Sequence, residues 1–503
     1  VLSTFHGLET VRRGMTAQQQ ALYVTGHNIA NANTPGYSRQ RVNFEQTPPY
    51  PFASKNRPVM PGQMGTGVEG GTVQRMREEF LDVQYRGEHM KYGYWNTRAE
   101  ALYKMEEIMN EPSDEGLAKT LDRFWQSLQD LAVNPSNSGA RSVVRQRGMA
   151  VAETFHYLSS SLKSIRDDIK NELDVTVKAV NSLARQLNDL NKQISEVEVH
   201  GYLPNDLYDE RNRLLDELSQ YVNVKVTPVP SGGSALKIAE GRFTVELADR
   251  NGTSFGKLVD GNTGVFNEIK VEYETTGEKY VNEMKLGNDS LNFLNFKENG
   301  KVGALLHSYG YVGGTGLYPE MLNNLNAMAK AFVDEFNRVH QQGKGLNGST
   351  NVPFFKYTDP NDVMGTLGIA DQIDPKNGSL DNIAAASSTG VGTGDGSNAL
   401  ALAEVKNNTL SIAGNTTTIQ NFYESLIGQM AVNAQEAKRL SENSEVLRQS
   451  VDERRMAVSS VSLDEEMMNM MKFQHAYNAS ARMITMIDQM LDKIINNMGI
   501  VGR

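Results

Sequence analysis

Apolar residues at heptad spacing mark both ends of this chain. Leu8, Met15, Leu22 and Ile29 fall seven apart with Val11 and Thr25 between them, predicting a helix over residues 5–32 with a narrow seam. The pattern stops in NIANANTPGYSRQ, where Asn28, Asn31 and Asn33 compete for backbone hydrogen bonds and Pro35-Gly36 suits the centre of a type II turn. Val42 and Phe44 then alternate with polar neighbours, and residues 66–73 again have strand character. At the other end Leu463, Met470, Tyr477, Ile484, Leu491 and Met498 repeat every seven residues, flanked by Phe473, Ile487, Ile494 and Ile495. Ser462 with Glu465 reads as a capping box at the start of this helix, and Gly499 as its stop.

Between the ends, helical periodicity returns from about Glu78, and Leu117, Leu121, Phe124, Leu128 and Leu131 share one face. A long amphipathic run reaches about Val199 on Leu162, Ile165, Ile169, Leu173, Val180, Leu183, Leu187, Leu190, Ile194 and Val197. So narrow a stripe on so long a helix predicts an elongated antiparallel bundle. Gly201 and Pro204 end it before a shorter helix over about 206–220. From Val222 the period becomes two, in VNVKVTPV, RFTVELA, GKLVDG and NEIKVEYE with glycine-bearing turns between, which predicts an all-β insertion over roughly 222–300. Further helices are expected over about 319–341 and 418–458, around a Gly/Asn/Asp/Ser/Thr-rich stretch.

The fold class is therefore α+β and multidomain: terminal coiled-coil helices plus an elongated antiparallel helical bundle, with an inserted all-β domain. Residues 1–45 with 462–503 form the expected terminal helical unit, and 46–221 with 318–342 and 418–461 the bundle. Residues 222–317 form the β-rich unit, and 343–417 an irregular, β-containing segment. An isolated heptad helix is only marginal in water. Both ends are thus expected to be loosely ordered in a lone subunit and fixed by packing on each other and on neighbouring copies. Eight of the 22 methionines lie in the last helix, where flexible thioethers adapt to non-identical neighbours.

Composition narrows the chemistry. A net charge of −10 disfavours a broad nucleic-acid surface, and the absence of cysteine removes disulfides, thiolate nucleophiles and cysteine-based metal sites. No stretch approaches the roughly 18–20 apolar residues of a membrane span. VLSTFHGLETVRRG lacks the apolar core of a cleaved secretory signal. Gly65, Gly67 and Gly70 spell G-x-G-x-x-G but lack the flanking strand and helix of a nucleotide site, so a turn feeding a hairpin is expected. Gly252 to Lys257 is one residue short of a phosphate loop, and Asp249 and Asp260 lie in turns. His6, His27, His89, His156, His200, His307, His340 and His475 never fall within five residues of one another. His475, beside Phe473 and Tyr477, reads as a packing residue. No catalytic, cofactor or metal site is expected.

HNIANANTPGYSRQ resembles the rod-type signature of bacterial flagellar axial proteins, and SLDEEMMNMMKFQHAYNASARMITMIDQMLDKII resembles their paired C-terminal signature. GTGVEGGTVQRMREEFLDVQYR, GLAKTLDRFWQSLQDLAVNPSNSGAR and NDLYDERNRLLDELSQYVNVKV narrow the resemblance to the hook-associated protein 1 family, well over 1–225 and 420–503 and weakly over 226–417. The rod-type motif falls on Asn28, Asn31, Asn33, Thr34, Pro35, Gly36 and Tyr37, with His27 where the family pattern implies Asn. The resemblance implies an extracellular structural adaptor of the hook–filament junction, exported through the flagellar type III route without a cleaved signal and assembled as a ring-like homo-oligomer. The terminal unit would be its axial core. Implied partners are the hook protein, the next filament-side hook-associated protein and an export chaperone on the C-terminal helix, with no nucleic acid and no membrane insertion. The residues expected to carry assembly are Leu8, Met15, Leu22, Ile29, Leu463, Met470, Phe473, Tyr477, Ile484, Ile487, Leu491, Ile494 and Met498. The nearest alternative is another axial subunit, hook or distal rod, against which the long 140–199 helix speaks. A wall hydrolase carried on rod-type termini is the alternative of a different class, and an intracellular coiled-coil scaffold a third.

Overall fold

The computed structural model describes residues 5–275, 279–313, 316–374, 376–389 and 393–497. Helix α1 (His6–Ala30) leads through the turn into an antiparallel hairpin of β1 (Gln40–Gln46) and β2 (Val68–Arg75), with a bulge after Asn43. The hairpin lies on α1. The glycines of the G-x-G-x-x-G stretch make that approach possible: Gly67 (φ +110°) sits against the Thr10 backbone, and a Cβ on Gly70 would meet Gln20 Oε1 at 2.2 Å. Gly67 and Gly70 thus let the hairpin pack on the helix.

The body follows as α2 (Glu79–Met109), α3 (Leu117–Val133), α4 (Ser138–Glu198) and α5 (Asn205–Tyr221). The 61 residues of α4 make a spine roughly 90 Å long. Asn137 starts it by accepting the N–H groups of Gly139 and Ala140. The β region is a four-stranded antiparallel sheet in the order β3 (Val224–Val229), β4 (Arg242–Ala248), β5 (Ser254–Asp260), β6 (Val265–Phe266). Beside it stands a three-stranded sheet, β7 (Ile269–Tyr273), β8 (Val281–Leu286) and β9 (Asp289–Leu291). Both sheets dock on α4. The Asn223 N–H donates to Asn299 Oδ1 (2.6 Å), which ties the two ends of the β region together.

Residues assigned to the β-rich unit include a helix, α6 (Gly300–Tyr309), which packs on α2 and α4. Nearly all its residues are buried, so its sequence lacks the polar face that signals a helix. Helix α7 (Leu317–Gln342) follows, then short pieces: β10 (Phe355–Lys356), α8 (Val363–Thr366), β11 (Gly368–Ile369), α9 (Ser397–Ala403), β12 (Leu410–Ile412) and β13 (Asn415–Thr417). They are held by a core in which Phe124, Trp125, Phe332, Phe336, Phe354 and Phe355 stack and edge onto one another. Gly148 of α4 makes room for it, since a Cβ there would lie 2.6 Å from Phe354. Helix α10 (Ile419–Ser459) returns along α2, and α11 (Leu463–Asn497) returns along α1.

Candidate assembly interface

Asn28 sits at the base of the α1–α11 pair and fills all four of its side-chain hydrogen-bonding positions. Its Nδ2 donates to Gln40 O (2.8 Å) and Glu466 Oε2 (3.0 Å); its Oδ1 accepts from the Gln40 N–H (3.0 Å) and the Tyr37 hydroxyl (2.8 Å). Burial and the negative charges of Asp206, Asp209 and Glu466 push the Tyr37 phenol up, so it remains a donor. The His27 Nδ1–H then donates to the phenol oxygen (2.9 Å). Gly36 has φ +80°, and the Tyr37 N–H donates to Thr34 O, completing the expected turn. Asn31 Nδ2 donates to His27 O, and Thr34 Oγ1 donates to Asn31 Oδ1. Asn33 and Pro35 are exposed. Arg39 completes the clamp: its Nε donates to Glu466 Oε1 (2.8 Å), its Nη1 to Glu465 Oε2 (2.7 Å), and its backbone N–H to Ser459 O (2.8 Å). Half of the capping box forms, because Ser462 Oγ accepts from the Glu465 N–H at 3.5 Å while the Glu465 carboxylate turns to Arg39.

Beyond the clamp the two helices run antiparallel in heptad register. A Cβ on Gly14 would lie 3.8 Å from Ser480 Oγ, and one on Gly7 would lie 3.6 Å from Ile487 Cδ1. From Asn28–Glu466 to Gly14–Ser480 to Gly7–Ile487, both chains advance by fourteen and then seven residues in opposite senses. The fully buried positions of α1 are Ala17, Ala21, Thr25 and Asn28. Leu8, Met15, Leu22 and Ile29, one step round the helix from the contact row, are half-buried. Met470, Phe473, Tyr477, Ile484, Ile487 and Leu491 are also half-buried; Leu463 and Ile494 are exposed, and Met498 and Gly499 lie outside the described residues. Among the described residues of α11, Glu466 is the one buried side chain.

The 17-residue α5 joins these ends to the body, and its charges, here the centre of the arrangement, are invisible as such in the sequence. Asp209 accepts from the Ser38 N–H (2.9 Å) and Arg75 Nη1 (2.5 Å). Asp216, seven residues on, accepts from Arg86 Nε (2.8 Å) and from Arg455 of α10. Arg77 reaches both carboxylates at 3.9 Å while forking onto Asp82. Arg211 is fully buried; it donates to Gly241 O and Glu240 and lies 3.4 Å over the Phe243 ring. Burial brings its pKa down to about 10 despite Glu240. Burial alone would raise Asp216, but Arg86, Arg455 and Arg77 outweigh it and hold this carboxyl below its usual range. Arg75 and Arg211 do the same for Glu240. The signal that could have marked it is an acidic pair at heptad spacing, Asp209 and Asp216, on a helix that also carries Arg211.

No group of three or more His, Asp or Glu among the described residues could hold a metal ion, and no described helix is long and apolar enough to cross a membrane. The arrangement is one of paired terminal helices clamped at their base and joined to the helical body through α5. Residues 8–37 match the family described as flagella basal body rod protein, and 454–498 the C-terminal family of the flagellar basal body rod FlgEFG proteins. The chain is thus of the flagellar axial class. Residues 102–355, half of the chain, match the helical domain of flagellar hook-associated protein FlgK. Flagellar hook-associated protein 1 of Bacillus subtilis (strain 168) is 46% identical over 511 residues, covering 100% of both chains. That of Escherichia coli (strain K12) is 23% identical over 96% of this chain and 98% of its own. That of Salmonella typhimurium is 26% identical over 69% of this chain and 58% of its own. The chain belongs to the flagellar hook-associated protein 1 family. The solved structure of the flagellar hook junction protein FlgK from Burkholderia pseudomallei covers 76% of this chain at a TM-score of 0.59 and 14% identity, a likeness of fold.

Proposed function

We propose that this protein is a structural adaptor of the bacterial flagellum, assembling as a ring-like layer of identical subunits between hook and filament. The observation that carries the reading is the outward face of α11. Met467, Met468, Met471, Met483, Met486 and Met490 stand exposed on a helix that the single chain covers on one side only. An apolar stripe of this kind on a soluble chain marks a surface made for a partner. In the assembled state α1 and α11 form a coiled-coil axial core, the bundle packs laterally and the β region faces outward. One end accepts the hook protein and the other presents a surface to the next hook-associated protein. Before assembly the same α11 stripe suits an export chaperone, and the chain leaves the cell by the flagellar type III route. The role requires no catalysis. Ile484→Asp places a charge in the half-buried seam of α11, far from the body. The expected result is a folded body, read by circular dichroism, with loss of incorporation; normal filament attachment in cells carrying the change would count against the reading.

A further inference from the structure

The row that α1 turns toward α11 carries almost no side chain. Gly7 and Gly14 face Ile487 and Ser480, and Ala21, the next step of the row, is 1% exposed. Small residues allow close approach but offer no knob that prefers one hole to the next. Helix α11 is equally permissive, because Met470, Tyr477, Ile484 and Leu491 repeat at the same interval. Sliding α11 by one heptad toward the base sets Gly14 against Ile487, Gly7 against Ile494 and Ala21 against Ser480, each a small residue opposite an apolar or hydroxyl one. The connector Ser460–Ser462 does not forbid this shift, since unwinding the first two turns of α11 supplies the slack. The shift changes the chemistry at the base: Asn28 would meet Phe473 in place of Glu466, Glu465 and Glu466 would both leave Arg39, and Phe473 would leave Phe44. Of these α11 groups Glu466 is the one that is buried.

We infer that Glu466 is a positioning residue that sets the register of the α1–α11 pair, and that Asn28 and Arg39 are its socket. The socket is held by groups outside α11. Asn28 is fixed by both backbone groups of Gln40, and Arg39 by Ser459 O. The carboxylate is 2% exposed, so it is tolerated only where both partners receive it. A single buried polar pair fixing register at some cost in stability is the best-attested use of such groups in paired helices. This deepens the adaptor reading, because the register decides which α11 side chains are left for neighbouring copies.

The chain has no cysteine, so introduced thiols report the register of the free, full-length protein directly. Gly14→Cys with Ser480→Cys marks the observed pairing, and Gly14→Cys with Ile487→Cys the shifted one. Dibromobimane bridges and becomes fluorescent only on neighbouring thiols. With Glu466 in place, the first pair alone is bridged. In the Glu466→Ala background, bridging of the shifted pair rises at least about tenfold, the factor expected on losing a charge-assisted hydrogen bond. Ile484→Ala, which weakens the same helix pair through its apolar seam, leaves the pattern unchanged. Emission from Trp95 and Trp125 reports that the body stays folded. The inference is overturned if Glu466→Ala still bridges only the first pair, or bridges neither while the tryptophan emission is native. Failure of the adaptor reading would appear instead in filament attachment, without altering these patterns.

Discussion

At four places among the described residues, an asparagine on a helix pairs with both the N–H and the C=O of one strand residue. Asn28 holds Gln40, Asn181 holds Ile269, Asn191 holds Phe243 and Asn337 holds Phe355. Asn181 and Asn191 lie ten residues apart on α4 and fasten one sheet each. Each amide replaces the neighbouring strand that the backbone lacks at that point, so no buried peptide group is left unpaired. Asn191→Ala strands one donor and one acceptor and is expected to cost about 2–4 kcal/mol, measured by urea unfolding. Asn191→Asp keeps the acceptor but turns a second buried oxygen toward Phe243 O, so it is expected to cost at least as much at neutral pH and less once the acid is protonated. A loss independent of pH would show that packing, not the amide pair, holds the sheet. Of these, Asn28 stood out in the sequence through the rod-type motif; Asn181, Asn191 and Asn337 did not, because an asparagine on a long amphipathic helix looks like one more solvent-facing position.

The elements themselves were legible wherever one face is buried and the other is wet. The pattern placed a helix over 206–220 where α5 runs Asn205–Tyr221, and one over 319–341 where α7 runs Leu317–Gln342. It missed α6, which is buried all round, and it placed the α1 row one residue from the contact row. There the true contacts are glycine and alanine, which carry no hydrophobic signal. The charge cluster on α5 was hidden because its partners come from four distant stretches of chain. Its pH dependence follows from the carboxyls of Asp216 and Glu240, both held below their usual range. Depressed acid pKa values mean that the unfolded chain binds protons first. Their stabilisation is therefore complete above about pH 4.5 and is lost as pH falls through the depressed values. Unfolding midpoints followed from pH 7 to pH 2 should drop below about pH 4.5. Asp216→Asn, which leaves Arg86 and Arg455 without their carboxylate, should cost about 3–5 kcal/mol at neutral pH and flatten that drop.

Across the whole molecule, stability is distributed unevenly. The α4 spine is packed along its length by helices and both sheets, whereas α11 past its first turn leans on α1 and the hairpin. In the free subunit, backbone amides beyond residue 470 should exchange with solvent much faster than those of α4, and should slow once the subunit is built into the flagellum. Uniform protection of the free chain would contradict this. The same unevenness sorts the sulfur atoms. Met90, Met105, Met109, Met284, Met328 and Met364 are sealed in the body, while Met467, Met468, Met471, Met483, Met486 and Met490 face water. Peroxide should therefore convert the α11 set to sulfoxides first, as peptide mass spectrometry would read, with the body set following only on unfolding. Each sulfoxide puts a polar oxygen on the stripe, so a free subunit is chemically perishable at α11, and in the assembly proposed above the neighbouring copies would shield it.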